Sequence, residues 1–137
     1  MTQYRSRDLR LKALTVVGDI TGGTNLSSWA SWTPTRTGWT DVGSPTVTAR
    51  YCRIRNVVFF QIKVIPSTTV ATVAGTSYTD LPVAASANGI SGDVTMADFT
   101  TLTSIGSGLI DPANSRAYVP AQVATGDTLT ISGWYEV

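Results

Sequence analysis

The chain has 137 residues, room for one ordinary domain and not for two. Its net charge of +1 gives no field to gather nucleic acid or an acidic membrane, and its single cysteine, Cys52, excludes an internal disulfide framework and a thiolate metal cluster. Histidine is absent, which removes the Ser-His and Cys-His nucleophile pairs and the commonest zinc ligand.

Only 14% of the residues are charged, and Thr, Ser, Gly and Val take their place. That mixture predicts strands and turns, because β-branched side chains pack well on a pleated surface and lose freedom against a helical turn. No apolar run is long enough to span a membrane and no signal-peptide core opens the chain, so a soluble product of a cytosol is expected.

In chain order, "MTQYRSRDLRLK" holds Arg5, Arg7, Arg10 and Lys12, with Leu9, Leu11 and Ala13 alternating as on an extended segment with one buried face. The run "ALTVVGDITGGTN" closes on Gly22-Gly23. So small a piece cannot bury a face alone, so residues 1–25 are expected to form an arm that lies on the domain or on another copy. Residues 26–45 hold Trp29, Trp32 and Trp39 among Ser, Thr, Gly and Pro, and read as loop and short irregular strand. Those indoles either plug the end of a sandwich or a seam between subunits, or offer a stacking platform for sugar rings.

From Val47 the alternation is clear. With Arg55-Asn56 as a two-residue turn, Val47, Ala49 and Tyr51 fall opposite Val64, Ile62 and Phe60 on one apolar face. Thr48, Arg50 and Cys52 then fall opposite Lys63, Gln61 and Phe59 on a mixed one, as a half-buried antiparallel pair requires. Cys52 and Phe59 are apolar groups on the outer side, and a seam between subunits accounts for them. Shorter strands are predicted within 68–75, 92–99, 116–123 and 128–137, with a turn leading into a small-residue strand over 78–86. Turn residues recur as in a sandwich or jelly roll, and no amphipathic helix is found. The predicted fold is therefore all-β: an antiparallel β-sandwich or jelly-roll knob over 26–137, preceded by the extended stem.

Two stretches resemble known virion proteins. "LTVVGDITGG" (14–23) is similar to the short shaft or anchor motifs of bacteriophage tail and head fibres, where three chains interleave short strands. "TPTRTGW", "TVTARYCRIRNVVFFQIKV", "YTDLPVAAS" and the terminal "LTISGWYEV" resemble the compact C-terminal β-sandwich knobs of phage tail fibres. There a strand of the type R-Y-x-x-I-G-N-x-V leads into a hydrophobic strand, then a G-L-P-type turn, and a last strand carries G-x-Y. Here Arg55 and Asp80 stand where glycine is usual. A primed turn needs φ > 0, costly for Arg, which points to a longer or type I turn at 55–56.

The resemblance implies a homotrimer in a virion, made in the host cytoplasm. Tyr4, Arg5, Arg7, Leu9, Arg10, Leu11 and Lys12 would attach it to a baseplate, tail or capsid protein, and Leu14, Val16, Cys52 and Phe59 would form the subunit interface. The leading expectation is a fibre whose knob touches a host surface glycan, with Trp39, Asp41, Asp93, Asp98 and Asp111 as candidate contacts. The alternative is a capsid decoration or head-fibre protein with a structural role only. No cofactor, metal, nucleic-acid partner or membrane insertion is expected. Nor is an enzyme: Asp93 and Asp98, the nearest carboxylates, fall on opposite faces of a strand, and no usual base serves Ser or Thr.

Overall fold

The computed structural model describes residues 28–87 and 92–137. Tyr4, Arg5, Arg7, Leu9, Arg10, Leu11, Lys12, Leu14 and Val16, read above as attachment and seam residues, lie outside the described residues. Within them the chain is all-β and antiparallel, with no helix.

Twelve strands follow one another: β1 (Ala30–Trp32), β2 (Arg36–Thr37), β3 (Thr40–Val42), β4 (Thr46–Ile54), β5 (Val57–Ile65), β6 (Thr69–Thr72), β7 (Tyr78–Asp80), β8 (Asp93–Asp98), β9 (Thr103–Asp111), β10 (Arg116–Tyr118), β11 (Gln122–Thr125) and β12 (Leu129–Glu136). Nine form one curled sheet in the order β1-β4-β5-β12-β8-β9-β10-β7-β2, and β11-β6-β3 form a second, smaller one. The arrangement is sandwich-like, with the apolar sides of both sheets meeting in one core that includes Val70 and Ala124 of the smaller sheet.

The β4–β5 hairpin has the register that alternation predicts: Val47 faces Val64, Ala49 faces Ile62 and Tyr51 faces Phe60. Along β5 the side chains of Val58, Phe60, Ile62 and Val64 are buried while Phe59, Gln61, Lys63 and Ile65 are exposed. The turn corrects one expectation. It stays at two residues, and Arg55 itself takes the left-handed conformation at φ 54°. Hydrogen bonds support it there: Arg53 Nε donates to the Arg55 carbonyl (2.8 Å) and the Val137 amide donates to that of Asn56 (2.8 Å).

Rows of inward side chains run across the central strands. Ile62, Ile131 and Met96 form one row, and Phe60, Gly133 and Val94 the next. Gly133 has no Cβ because the Phe60 ring fills that space, its Cε1 and Cζ only 2.8 Å from where one would stand. The ring is 1% exposed and packs edge-on to Trp32 and tilted against Tyr135. Burial of such a side chain is worth roughly 1.5–3 kcal/mol.

β9, "TSIGSGLID", is a nine-residue strand that composition does not announce. A bulge between Met96 and Ala97 shifts its register on β8, and Gly108 gives room to the Tyr118 carbonyl of the next strand. The sheet has two distinct ends. β1 runs antiparallel to β4, so its N-terminal end points toward the Arg55-Asn56 turn, where Val137 also lies. The opposite end carries the β8–β9 turn, with Phe99 and Leu102 exposed upon it.

Candidate functional site

The outer face of the large sheet is where alternation leaves its surplus side chains. Register sets Cys52, Phe59, Trp134 and Asp93 in one row across β4, β5, β12 and β8. Phe59 and Trp134 stand directly opposite each other and are 41% and 39% exposed. With Trp29, Cys52 and Ile54 they line a depression of about 480 Å³. An outer sheet face is ordinarily polar, so this end of it is unusual.

A second depression, about 660 Å³, continues along the same face toward the β8–β9 turn. Arg50, Lys63, Phe99, Thr48 and Thr130 line it, and Gln61 and Ser132 border both hollows. Arg50 marks the divide. Its Nε and Nη2 donate to Gln61 Oε1 at 2.9 and 2.7 Å, and its guanidinium lies 4.7 Å from the centre of the Trp29 ring. The Lys63 ammonium sits 5.6 Å from the centre of the Phe99 ring.

The five residues singled out as ligand contacts fall in four places. Trp39 and Asp41 come together through Arg36, which grips the Asp41 carboxylate with two hydrogen bonds (2.9 and 2.7 Å) and lies 5.2 Å over the Trp39 ring. The indole of Trp39 donates to the Tyr78 carbonyl at 3.1 Å and packs against the core. Asp93 is exposed at the wall of the first depression.

Asp98 and Asp111 turn their carboxylates to their own loops. Asp98, buried at the end of β8, accepts from the amides of Thr100 (2.8 Å) and Thr101 (3.1 Å). The Thr101 amide, aided by that of Thr100, holds its carboxyl below the usual carboxylate range against the opposing effect of desolvation. Asp111 accepts from the side-chain amide of Asn114 (2.8 Å) and more weakly from its backbone amide (3.3 Å), and the Asn114 side chain lowers its pKa most.

Cys52 and Phe59, read as seam residues, are both in the first depression. Sequence reasoning missed Trp134, although the signal was present. In "TLTISGWYEV" Leu129, Ile131 and Tyr135 share the inward face, so Trp134 must join Thr130 and Ser132 on the outer one. Phe99 beside Lys63 could not be read, since it depends on how β8 and β5 flank β12.

No family model, curated protein or solved structure matches this chain.

Proposed function

We propose that the chain is a structural protein of a bacteriophage virion, a homotrimeric tail fibre attached by its N-terminal arm and meeting a host surface glycan through its β-sandwich knob. The observation that carries this reading is the Phe59–Trp134 pair on the outer face of the large sheet. Contiguous apolar surface of that kind marks association, and a head-to-tail contact closes into a ring when the rotation from each copy to the next returns to the first. Three copies is the number that the tail-fibre resemblance implies.

Two further features support the reading. The motif segments that resemble fibre knobs lie far apart in sequence and meet in space: Gly133 receives Phe60, Tyr135 reaches Val83, and Val137 closes on Asn56. The start of β1 and the β8–β9 turn lie at opposite ends of the sheet, which suits a stem at one end and a contacting tip at the other.

The test is sedimentation of the purified full chain, together with a density map of intact virions of the source phage. A trimer in solution and density at the tail are expected. A monomer at all concentrations, or absence from the particle, overturns the proposal. Density on the capsid shell assigns the decoration role in place of the fibre role.

A further inference from the structure

We propose that the second depression is a binding site for a carboxylated saccharide, its acid group held between Arg50 and Lys63 and a sugar ring laid against Phe99. The site takes its biological setting from the host-attachment reading above.

Arg50 pairs with Gln61, and Lys63 stands two residues further along β5. The two cations are thus diagonal neighbours on one face, roughly 7–8 Å apart with their Cβ atoms somewhat closer, so both long side chains can reach one carboxylate. No acidic residue lines the depression. Among the described residues the Lys63 ammonium has no ion-pair or hydrogen-bond partner, and neither does Nη1 of Arg50. Hydrogen bonds from such groups to an anion are shorter and stronger than neutral ones.

The cations are also held in place. Gln61 accepts from two nitrogens of Arg50 while Trp29 lies against its plane, so the free edge of the guanidinium is oriented before a ligand arrives. Phe99 is fixed through its own backbone, whose amide donates to the Thr128 carbonyl at 2.7 Å. Its ring is 57% exposed and offers a flat apolar surface that suits the C–H face of a pyranose. Thr48 and Thr130 flank Lys63 in one row; the Thr48 hydroxyl can serve a sugar, and that of Thr130, which donates to the Ala97 carbonyl at 3.4 Å, can still accept from one.

Three residues after Phe99, in the same turn, Leu102 adopts φ 57° and is 81% exposed. A leucine in the left-handed region, turned to solvent, is unfavourable on both counts, and strain of this sort gathers at ligand sites. Two cations are too few for a nucleic-acid surface, and the hydroxyls with one aromatic platform fit a sugar better than a peptide.

The experiment is calorimetric titration of the full-length protein with trigalacturonate and with sialyllactose, using methyl-esterified trigalacturonate as the neutral control. Both acids are expected to bind, less tightly as salt rises, and the ester roughly tenfold more weakly or worse. Lys63→Gln and Arg50→Gln should each weaken the acids about tenfold, and Phe99→Ala should weaken them too. Arg55→Asn, which removes a cation at the opposite end and suits a left-handed turn, should change nothing. Should Arg50→Gln fail to fold, Lys63→Gln at an exposed position still decides.

Equal binding of acid and ester, an equal effect of Arg55→Asn and Lys63→Gln, or no binding of either acid overturns the site. A chain that is found in the virion but binds neither acid leaves the fibre reading standing without this site. Binding by a chain absent from the virion does the reverse.

Discussion

The phenol of Tyr135 donates to the carbonyl of Val83 at 2.9 Å and accepts from the amide of the same residue at 3.2 Å. One side chain on the last strand thus satisfies both backbone groups of a residue in the bend after β7. Val83 follows Asp80-Leu81-Pro82, where Pro82 and an irregular path leave backbone groups without a ladder partner. Burial drives the phenol's pKa up to about 12.

Tyr135→Phe keeps the ring and orphans both groups of Val83, so a loss of about 1–3 kcal/mol is expected in urea unfolding. The pH response has a definite sign. The folded-state pKa lies above the unfolded value near 10, so the unfolded chain loses this proton first. The stability from this group is intact below about pH 10 and is lost as pH rises toward 12. Comparison of wild type with Tyr135→Phe across that range isolates the effect, since the other tyrosines are common to both.

Phe60 and Gly133 form the second test. Phe60→Ala should cost on the order of 3–5 kcal/mol, as buried Phe truncations do. A loss below about 1 kcal/mol would contradict the packing at its root. Gly133→Ala places a methyl group into the Phe60 ring and the Asp93 carbonyl, and a loss of roughly 1–3 kcal/mol or more is expected. The double variant should lose less than the two singles together, because the ring no longer opposes the new methyl group. It should not reach additivity's opposite limit, since the Asp93 carbonyl still stands in the way.

Asp98 predicts behaviour in acid. Its carboxylate is held ionised chiefly by the Thr101 amide, so its folded pKa lies below the ordinary value. The stability it contributes is present above the usual carboxylate pKa of about 3.9 and is lost as pH falls through the lower folded value. Asp98→Asn should therefore lower stability at pH 7 and flatten the acid limb of the profile, with far less change at pH 3. Thermal melts at pH 3 and pH 7 check it.

Much of the fold is legible where two strands are local and alternate. Arg55-Asn56 supplies the turn, and the β4–β5 pairs follow from a single assumption about it. β9 is not legible, because Gly106 and Gly108 read as turn residues. They are there to accommodate the bulge on β8 and the Tyr118 carbonyl of β10, cross-strand contacts that the residues around each glycine do not reveal. The candidate site divides the same way. The misplaced apolar character of Cys52 and Phe59 is visible in the hairpin alone, whereas the Lys63–Phe99 pair needs β12 between β5 and β8. Asp98 and Asp111 illustrate the converse: carboxylates in loops suggest ligand contacts, but Asp is also a turn former, and here both cap their own turns.

Two variants separate the role of the outer face from that of the arm. Phe59 is 41% exposed in the single chain, so Phe59→Asp should cost an isolated knob only roughly 1–2 kcal/mol, from the lost pairing with Trp134 and the low strand preference of Asp. In a trimer it would bury an unpaired charge against Trp134 of the same sheet and against the neighbouring copy, which costs far more than the apolar contact it replaces. Sedimentation of Phe59→Asp should therefore show monomers that retain the β-sheet circular dichroism of the wild type. Deletion of residues 1–25 should leave the knob folded and loosen the trimer or its attachment to the virion. If the deletion alone yields monomers and Phe59→Asp remains trimeric, the arm makes the assembly and the aromatic row has another partner. If the truncated chain unfolds outright, the arm belongs to the core and the division at residue 25 is wrong.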